Sequence, residues 1–277
     1  MTKKLWEASL NQKKKSNLFD FENFISKKLN KKFDRNYNRL LDWSIKNSPD
    51  FWNYFWDYSK IIGIKSKQKI KRSKKFYKNL FLPGSKLNFG ENLLPKNNLD
   101  KAITFISENG FREQKTWKQL NLSTSKIIKF LRKINIKKGD RVVAYMPNTI
   151  QTVEAFIASS SIGSIWSSCS PDFGIRGVVE RFSQINPKVL FITDQYFYNG
   201  KKINILERLP EILKFIPSIK NVVVVNYPGK RLMKKSRKLK KIKLFRWNEL
   251  MKISSERINF KKFDFENELA ILYSSGT

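Results

Sequence analysis

The chain has 277 residues, with 56 Lys and Arg against 23 Asp and Glu, a net charge of +33, one Cys and no His. These counts exclude a Cys/His zinc site, a Ser-His-Asp triad and an intramolecular disulfide. An apolar content of 40% is enough for a buried core, while no run approaches the ~18 apolar residues of a membrane span. The basic start, "MTKKLWEASLNQKKK", leads into no apolar h-region and so is not a secretory signal. A reducing, cytoplasmic location fits the cysteine usage.

Residues 1–80 read as mostly helical. Leu40, Leu41, Ser44 and Ile45 mark one helix, and Ser48-Pro49 reads as an N-cap followed by Pro at the first helical position. Phe51, Tyr54, Phe55 and Tyr58 recur at i, i+3, i+4, i+7 and form one apolar stripe, read as packing rather than as a ligand pocket, with Gly63 as the stop. Residues 81–98 are rich in Pro, Gly and Asn and read as a connection. "AITFIS-ENG-FREQKT" is a hairpin pattern, and Thr116 with Gln119 makes a capping box for the helix that follows. Strands and helices then alternate. "DRVVAYMP" is a strand, "TIQTVEAFIASSSIG" a helix ended by Gly163, "SIWSSCSPD" a short strand and turn, and "GIRGVVERFSQINP" a helix stopped near Pro187. "KVLFITD" is a strand, "INILERLPEILKFI" a helix that Pro210 should break or kink, "NVVVVNYP" a buried strand, and "ELAILYSSGT" a strand running into a Gly-bearing loop. The fold class is therefore α/β, a mainly parallel sheet flanked by helices and preceded by a helical N-terminal segment.

Two basic clusters stand out, 65–75 and 230–243. Each reads as solvated loop, weighed against a phosphate-binding surface for RNA or DNA. No aromatic RNP pattern, helix-turn-helix signature or arginine-rich reading helix supports the second reading. Only weak, salt-sensitive, non-specific binding to nucleic acid follows from the charge. The excess lysine comes with abundant Asn, Ile and Phe, which share A/T-rich codons. Cys169 has no His partner and reads as a small buried hydrophobe. Arg176 and Arg181 read as surface or ion-pair residues.

The last residues, Leu269 to Thr277, deliver an apolar segment into Ser274-Ser275-Gly276-Thr277. Gly lets a backbone approach an anion closely, and hydroxyls and consecutive N–H groups can donate to it. By itself a Ser/Gly/Thr turn is a common feature. "LAILYSSGT" resembles the start of the phosphate-loop motif of the adenylate-forming enzymes, the acyl-CoA synthetase superfamily: Tyr-(Ser/Thr)-Ser-Gly-(Thr/Ser)-Thr-Gly-x-Pro-Lys. The upstream order of elements matches that superfamily along nearly the whole chain. Within it, "FWNYFWDYSKIIG" and "FYKNLFLPGSKLNFGENLL" resemble the helical extension of the acetyl- and acetoacetyl-CoA synthetase branch. "GSIWSSCSPDFGIRGVVERFSQINPKVLFITDQYFYNGKK" is similar to the acetoacetate–CoA ligases in particular.

The resemblance implies ligation of acetoacetate to coenzyme A through an acetoacetyl-adenylate, with ATP, Mg²⁺ and CoA taking part and AMP and pyrophosphate released. It implies a helical extension over 1–95 and the first part of an adenylation domain over 96–277. Ser274, Ser275, Gly276 and Thr277 would begin the ATP phosphate loop. Lys201 and Lys202 would stand in for arginines that hold CoA phosphates in this branch, with Phe197 roughly where one such Arg is expected. Trp166 and Asp172 mark the family segment without an assigned chemistry. The chain then has no catalytic residue or metal ligand of its own. It is expected to be an N-terminal fragment of a longer enzyme, inactive and aggregation-prone alone. The alternatives are another short-chain acyl-CoA synthetase (acetyl or propionyl), a basic nucleic-acid-binding protein, and a non-catalytic α/β module. Expected partners are the small-molecule substrates, with no specific nucleic acid and no membrane.

Overall fold

A computed structural model describes residues 5–227, 242–255 and 257–274. The chain divides into two compact units, Met1–Lys86 and Leu87–Thr277.

The first unit carries helices α1 (Leu10–Lys14), α2 (Asn17–Leu29), α3 (Tyr37–Lys46) and α4 (Ser48–Tyr58). Short strands follow: β1 (Gly63–Ile64), β2 (Ile70–Lys71) and β3 (Leu80–Phe81), with β4 (Lys86–Leu87) at the boundary. Phe21, Ile25, Phe33, Leu40 and Trp43 form the core, and Phe51, Tyr54 and Tyr58 pack against it, so the aromatic stripe of α4 is packing. Phe55 lies at its rim, edge-on to Phe21. Three expectations are corrected. Asn47 occupies the N-cap position of α4, with Ser48 its first residue and Pro49 inside its first turn. The helix stops at Tyr58, well before Gly63, where Lys60 takes a positive φ of 52°. On α3 the buried residues are Leu40 and Trp43, while Leu41 and Ile45 are exposed. Beyond Tyr58 this unit is not helical apart from a 3₁₀ turn at Phe76–Lys78.

The second unit begins with the short α5 (Phe89–Asn92) and the antiparallel hairpin β5 (Lys101–Ile106) and β6 (Arg112–Thr116). Thr116 then caps α6 (Trp117–Lys133) in the expected capping box with Gln119. The alternation continues through β7 (Arg141–Tyr145), α7 (Ile150–Ser161), β8 (Ile165–Cys169), α8 (Ile175–Phe182) and β9 (Val189–Thr193). A second hairpin, β10 (Gln195–Tyr198) and β11 (Lys201–Asn204), precedes α9 (Leu209–Phe215) and β12 (Asn221–Val225). Then come β13 (Lys243–Arg246), α10 (Trp247–Leu250) and β14 (Phe263–Asp264).

Five strands make one parallel sheet in the order β13-β12-β9-β7-β8. The strands are covered on both faces, which explains their continuous apolar runs. Side chains alternate between two cores. Val142 and Ala144 point to the face covered by α6, α7 and α10. Val143 and Tyr145 point to the face covered by α8 and α9. Each fully buried Val, Leu or Ile contributes roughly 1.5–3 kcal/mol.

Two further expectations are corrected here. The helix anticipated over "INILERLPEILKFI" is a 3₁₀ turn, Leu206–Arg208, followed by α9, and Pro210 sits in the first turn of α9, where its missing N–H is harmless. Among the described residues, the strand anticipated over "ELAILYSSGT" is reduced to a single parallel bridge between Trp166 and Ala270. The basic cluster 65–75 is anchored in part by ion pairs Lys65–Asp57 and Lys69–Asp50. Nearly all of the cluster 230–243 lies outside the described residues.

Candidate functional site

Strand order fixes where a ligand can sit. From β7 the chain crosses to β8 on one side, then returns past β7 to β9 and moves on to β12 and β13 on the other. In an open parallel sheet, such a reversal leaves a crevice beyond the carboxyl ends of the two strands that part company, here β7 and β9. A cavity of about 480 Å³ lies there. It is lined by the tip of the β5–β6 hairpin (105–108), the turn after β7 (146–148), the end of β8 and the turn after it (168–172), and 196–198 of β10, with Tyr227 after β12.

A hydrogen-bond network shapes this cavity. Asp172 accepts from Ser170 Oγ and from Tyr196 Oη, each at 2.6 Å. Those two donors, Ser170 first, hold its carboxyl below the usual carboxylate range. Burial, then the bond to Asp172, pushes the Tyr196 phenol up. Arg208 Nη1 donates to the carbonyls of Pro171 (3.1 Å) and Phe173 (3.0 Å) and to Tyr145 Oη. Tyr145 donates in turn to the Phe173 carbonyl at 2.5 Å, and burial raises its phenol despite the opposing Arg208 charge. At the end of β9, buried Asp194 accepts from Tyr227 N (2.8 Å) and Asn226 Nδ2 (3.0 Å). Its own carbonyl accepts from Ile205 and Leu206 N–H, which closes the base of the β10–β11 hairpin.

Of the anticipated ATP residues, Ser274 is described and exposed, and Ser275, Gly276 and Thr277 lie outside the described residues. The segment leading to Ser274 is held along β8. Trp166 N donates to Leu269 O, Ile271 N to Trp166 O, and Ser167 Oγ to Ile271 O. The run is parallel, so Ser274 emerges at the carboxyl end of β8, the edge that also carries the cavity. Tyr273 Oη donates to the Arg181 carbonyl at 2.7 Å, and the Arg181 guanidinium lies 4.3 Å from the centre of the Phe173 ring.

Lys201 and Lys202 are exposed on β11. Lys201 faces Tyr198 and Lys202 faces Phe197 across the hairpin, so successive lysines point to opposite faces. They do not form a pair on one surface. Ser274 follows a segment lying along β8 and the hairpin follows β9, so the two candidate sites occupy different parts of one sheet edge. Cys169 is buried, and burial pushes its thiol up to about 11. Trp166 packs in the core. Arg176 pairs with Glu180 at 2.7 Å on an exposed face.

Sequence reasoning missed the hairpin, Asp194, Tyr196 and Arg208. For the hairpin a signal was present: Asn199-Gly200, both at positive φ, is the dipeptide a two-residue hairpin turn favours. Asp194 was marked by its place at the end of an apolar strand. Nothing local marks Arg208, whose partners Tyr145, Pro171 and Phe173 are far away in sequence.

Comparison with known proteins adds four findings. The AMP-binding enzyme family profile matches residues 96–277. The acetoacetyl-CoA synthetase of Gallus gallus is 39% identical over 249 residues, 87% of this chain and 37% of that protein. That of Rhizobium meliloti (strain 1021) is 32% identical over 273 residues, 99% of this chain and 41% of that protein. The solved acetoacetyl-CoA synthetase of Streptomyces lividans superposes with a TM-score of 0.87 at 25% identity, over 99% of this chain and 42% of that one. The chain thus spans about two fifths of the length of the relatives it matches.

Proposed function

This chain belongs to the AMP-binding enzymes, and on that premise we propose that it serves an ATP-dependent ligase joining acetoacetate to coenzyme A. The observation that carries the reading is the carboxyl edge of the parallel sheet. There residues 269–271, which lead to Ser274, run beside β8, and Ser170, Pro171 and Asp172 wall a cavity at the point of strand reversal. In the proposed reaction the acetoacetate carboxylate attacks the α-phosphorus of ATP and expels pyrophosphate. The CoA sulfur then attacks the acyl carbon, AMP leaves, and the thiol proton passes to solvent. A carboxylate needs no strong base, so a chain without His is adequate for the first step, which depends on charge neutralisation and in-line placement.

In this reading Ser274, Ser275, Gly276 and Thr277 cradle the triphosphate through hydroxyls and backbone N–H groups. The hydroxyl oxygens are hard donors of the kind Mg²⁺ accepts beside phosphate, and the ion would neutralise phosphate charge. Lys201, on the Tyr198 face of the hairpin, and Lys202, on the other face, are offered as point charges for the CoA phosphates. The N-terminal extension over 1–95, whose long helices end at Tyr58, and the adenylation domain from 96 remain part of the proposal. So does a cytoplasmic setting, in keeping with a buried free thiol. Among the described residues no helix is long and apolar enough to cross a membrane. We assign no specific nucleic acid.

The test is AMP formation by the enzyme expressed from its whole reading frame. Acetoacetate- and CoA-dependent AMP release is the expected result, with acetate and propionate as poorer substrates. A higher kcat/KM with acetate or propionate would move the reading to that acid. No AMP with any short-chain acid would remove it. Residues 1–277 alone, spanning two fifths of the relatives' length, are expected to release none.

A further inference from the structure

The β10–β11 hairpin is pinned at its base by Asp194 and turns at Asn199-Gly200. At its tip Tyr198 and Lys201 are exposed. Midway along β10, Tyr196 points to the same face as Tyr198, their ring centres 6.4 Å apart, and this is the face that Lys201 shares. Tyr196 Oη reaches across to Asp172 at 2.6 Å. Asp172 belongs to a turn that is itself fixed, because Arg208 and Tyr145 hold the carbonyls on both sides of it. A rigid turn is thus joined to a hairpin by one charge-assisted hydrogen bond, and both walls of the cavity meet at that bond.

We propose that Tyr196 and Asp172 are positioning residues that clamp the hairpin to the turn and so set where Lys201, the cross-strand partner of the cavity-lining Tyr198, stands. The inference rests on the CoA reading given above for Lys201. Neither group takes part in the chemistry. Their effect is to hold in one place a lysine whose long side chain and hairpin would otherwise sample many positions.

The experiment is steady-state kinetics on the enzyme from its whole reading frame, with Tyr196→Phe, Asp172→Ala, Asp172→Asn, Lys201→Ala and the Tyr196→Phe/Lys201→Ala pair. Tyr196→Phe removes one hydroxyl and keeps the packed ring. It is expected to raise the KM for CoA about five- to tenfold, as the loss of a bond to a charged group allows. The kcat and the KM for ATP should be unchanged. Asp172→Ala should match it, and Asp172→Asn, which keeps an oxygen for the phenol, should recover most of the loss. The double variant should be no worse than Lys201→Ala, because a misplaced lysine and a missing one fail alike. Additive losses in the double variant, or an unchanged KM for CoA in Tyr196→Phe, would overturn the clamp and leave the CoA reading standing. A wild-type enzyme with no CoA-dependent turnover would remove both.

Discussion

Glu154 on α7 is fully buried and pairs with Lys115 Nζ at 2.7 Å and with Ser123 Oγ, while its Oε2 has no partner. Burial holds its carboxyl above the ordinary carboxylate value, against the pull of Lys115. The folded chain therefore binds more protons here than the unfolded chain. This contribution to stability is largest in acid and declines as pH rises from the unfolded carboxylate range through the folded pKa. Lys115→Met leaves the charge uncompensated and should cost about 3 kcal/mol at about pH 8, with part of the loss recovered at about pH 5 as Glu154 takes a proton. Urea melts at the two pH values check this, and a pH-independent loss would contradict it. Cys169 tests burial in another way. With its thiol pushed up to about 11, it should resist iodoacetamide at neutral pH until the protein unfolds. Rapid labelling of the native protein would show that the β8 edge opens.

The helices and strands of the second unit end where local chemistry ends them. Thr116→Ala, which removes the cap of α6, should cost about 1 kcal/mol, and Thr116→Ser close to nothing. Gly163 follows α7 at a φ of 75°, and a Cβ there would meet Phe263 at 2.6 Å. Gly163→Ala should therefore cost about 2 kcal/mol by chemical denaturation, and Phe263→Leu in the same chain should return part of it. Elements of this kind were legible in the sequence because their signals are local: the Thr116–Gln119 box, the glycine after α7, the unbroken apolar runs of β9 and β12. Where the sequence misled, the deciding partner lay far along the chain. Pro210 fell in a first turn because the β10–β11 hairpin and its return to Asp194 use the residues before it. "ELAILY" looks like a strand, yet only Ala270 bridges to Trp166 among the described residues. In the candidate site, Ser274 and Lys201 could be named from motif likeness. The Asp172–Tyr196–Arg208 network could not, since it joins segments related only by the fold.

At the scale of the whole molecule, charge dominates. A net charge of +33 on 277 residues repels itself, and many of the ion pairs are exposed and worth little. The thermal midpoint should therefore rise between about 0.05 M and about 0.5 M sodium chloride as the repulsion is screened. A falling midpoint would mean that ion pairs outweigh it. The strand order has a consequence in time as well as in space. β7 lies between β8 and β9, and Val142 pairs with Val189 although all of α7, β8 and α8 intervene. A ribosome adding roughly 5–20 residues per second brings out β7 several seconds before β9. Through that interval one edge of the future central strand, Val142 to Tyr145, is unpaired and apolar. The stage of synthesis most in need of a chaperone should be the passage between these two strands, and nascent chains halted there should be the ones that aggregate.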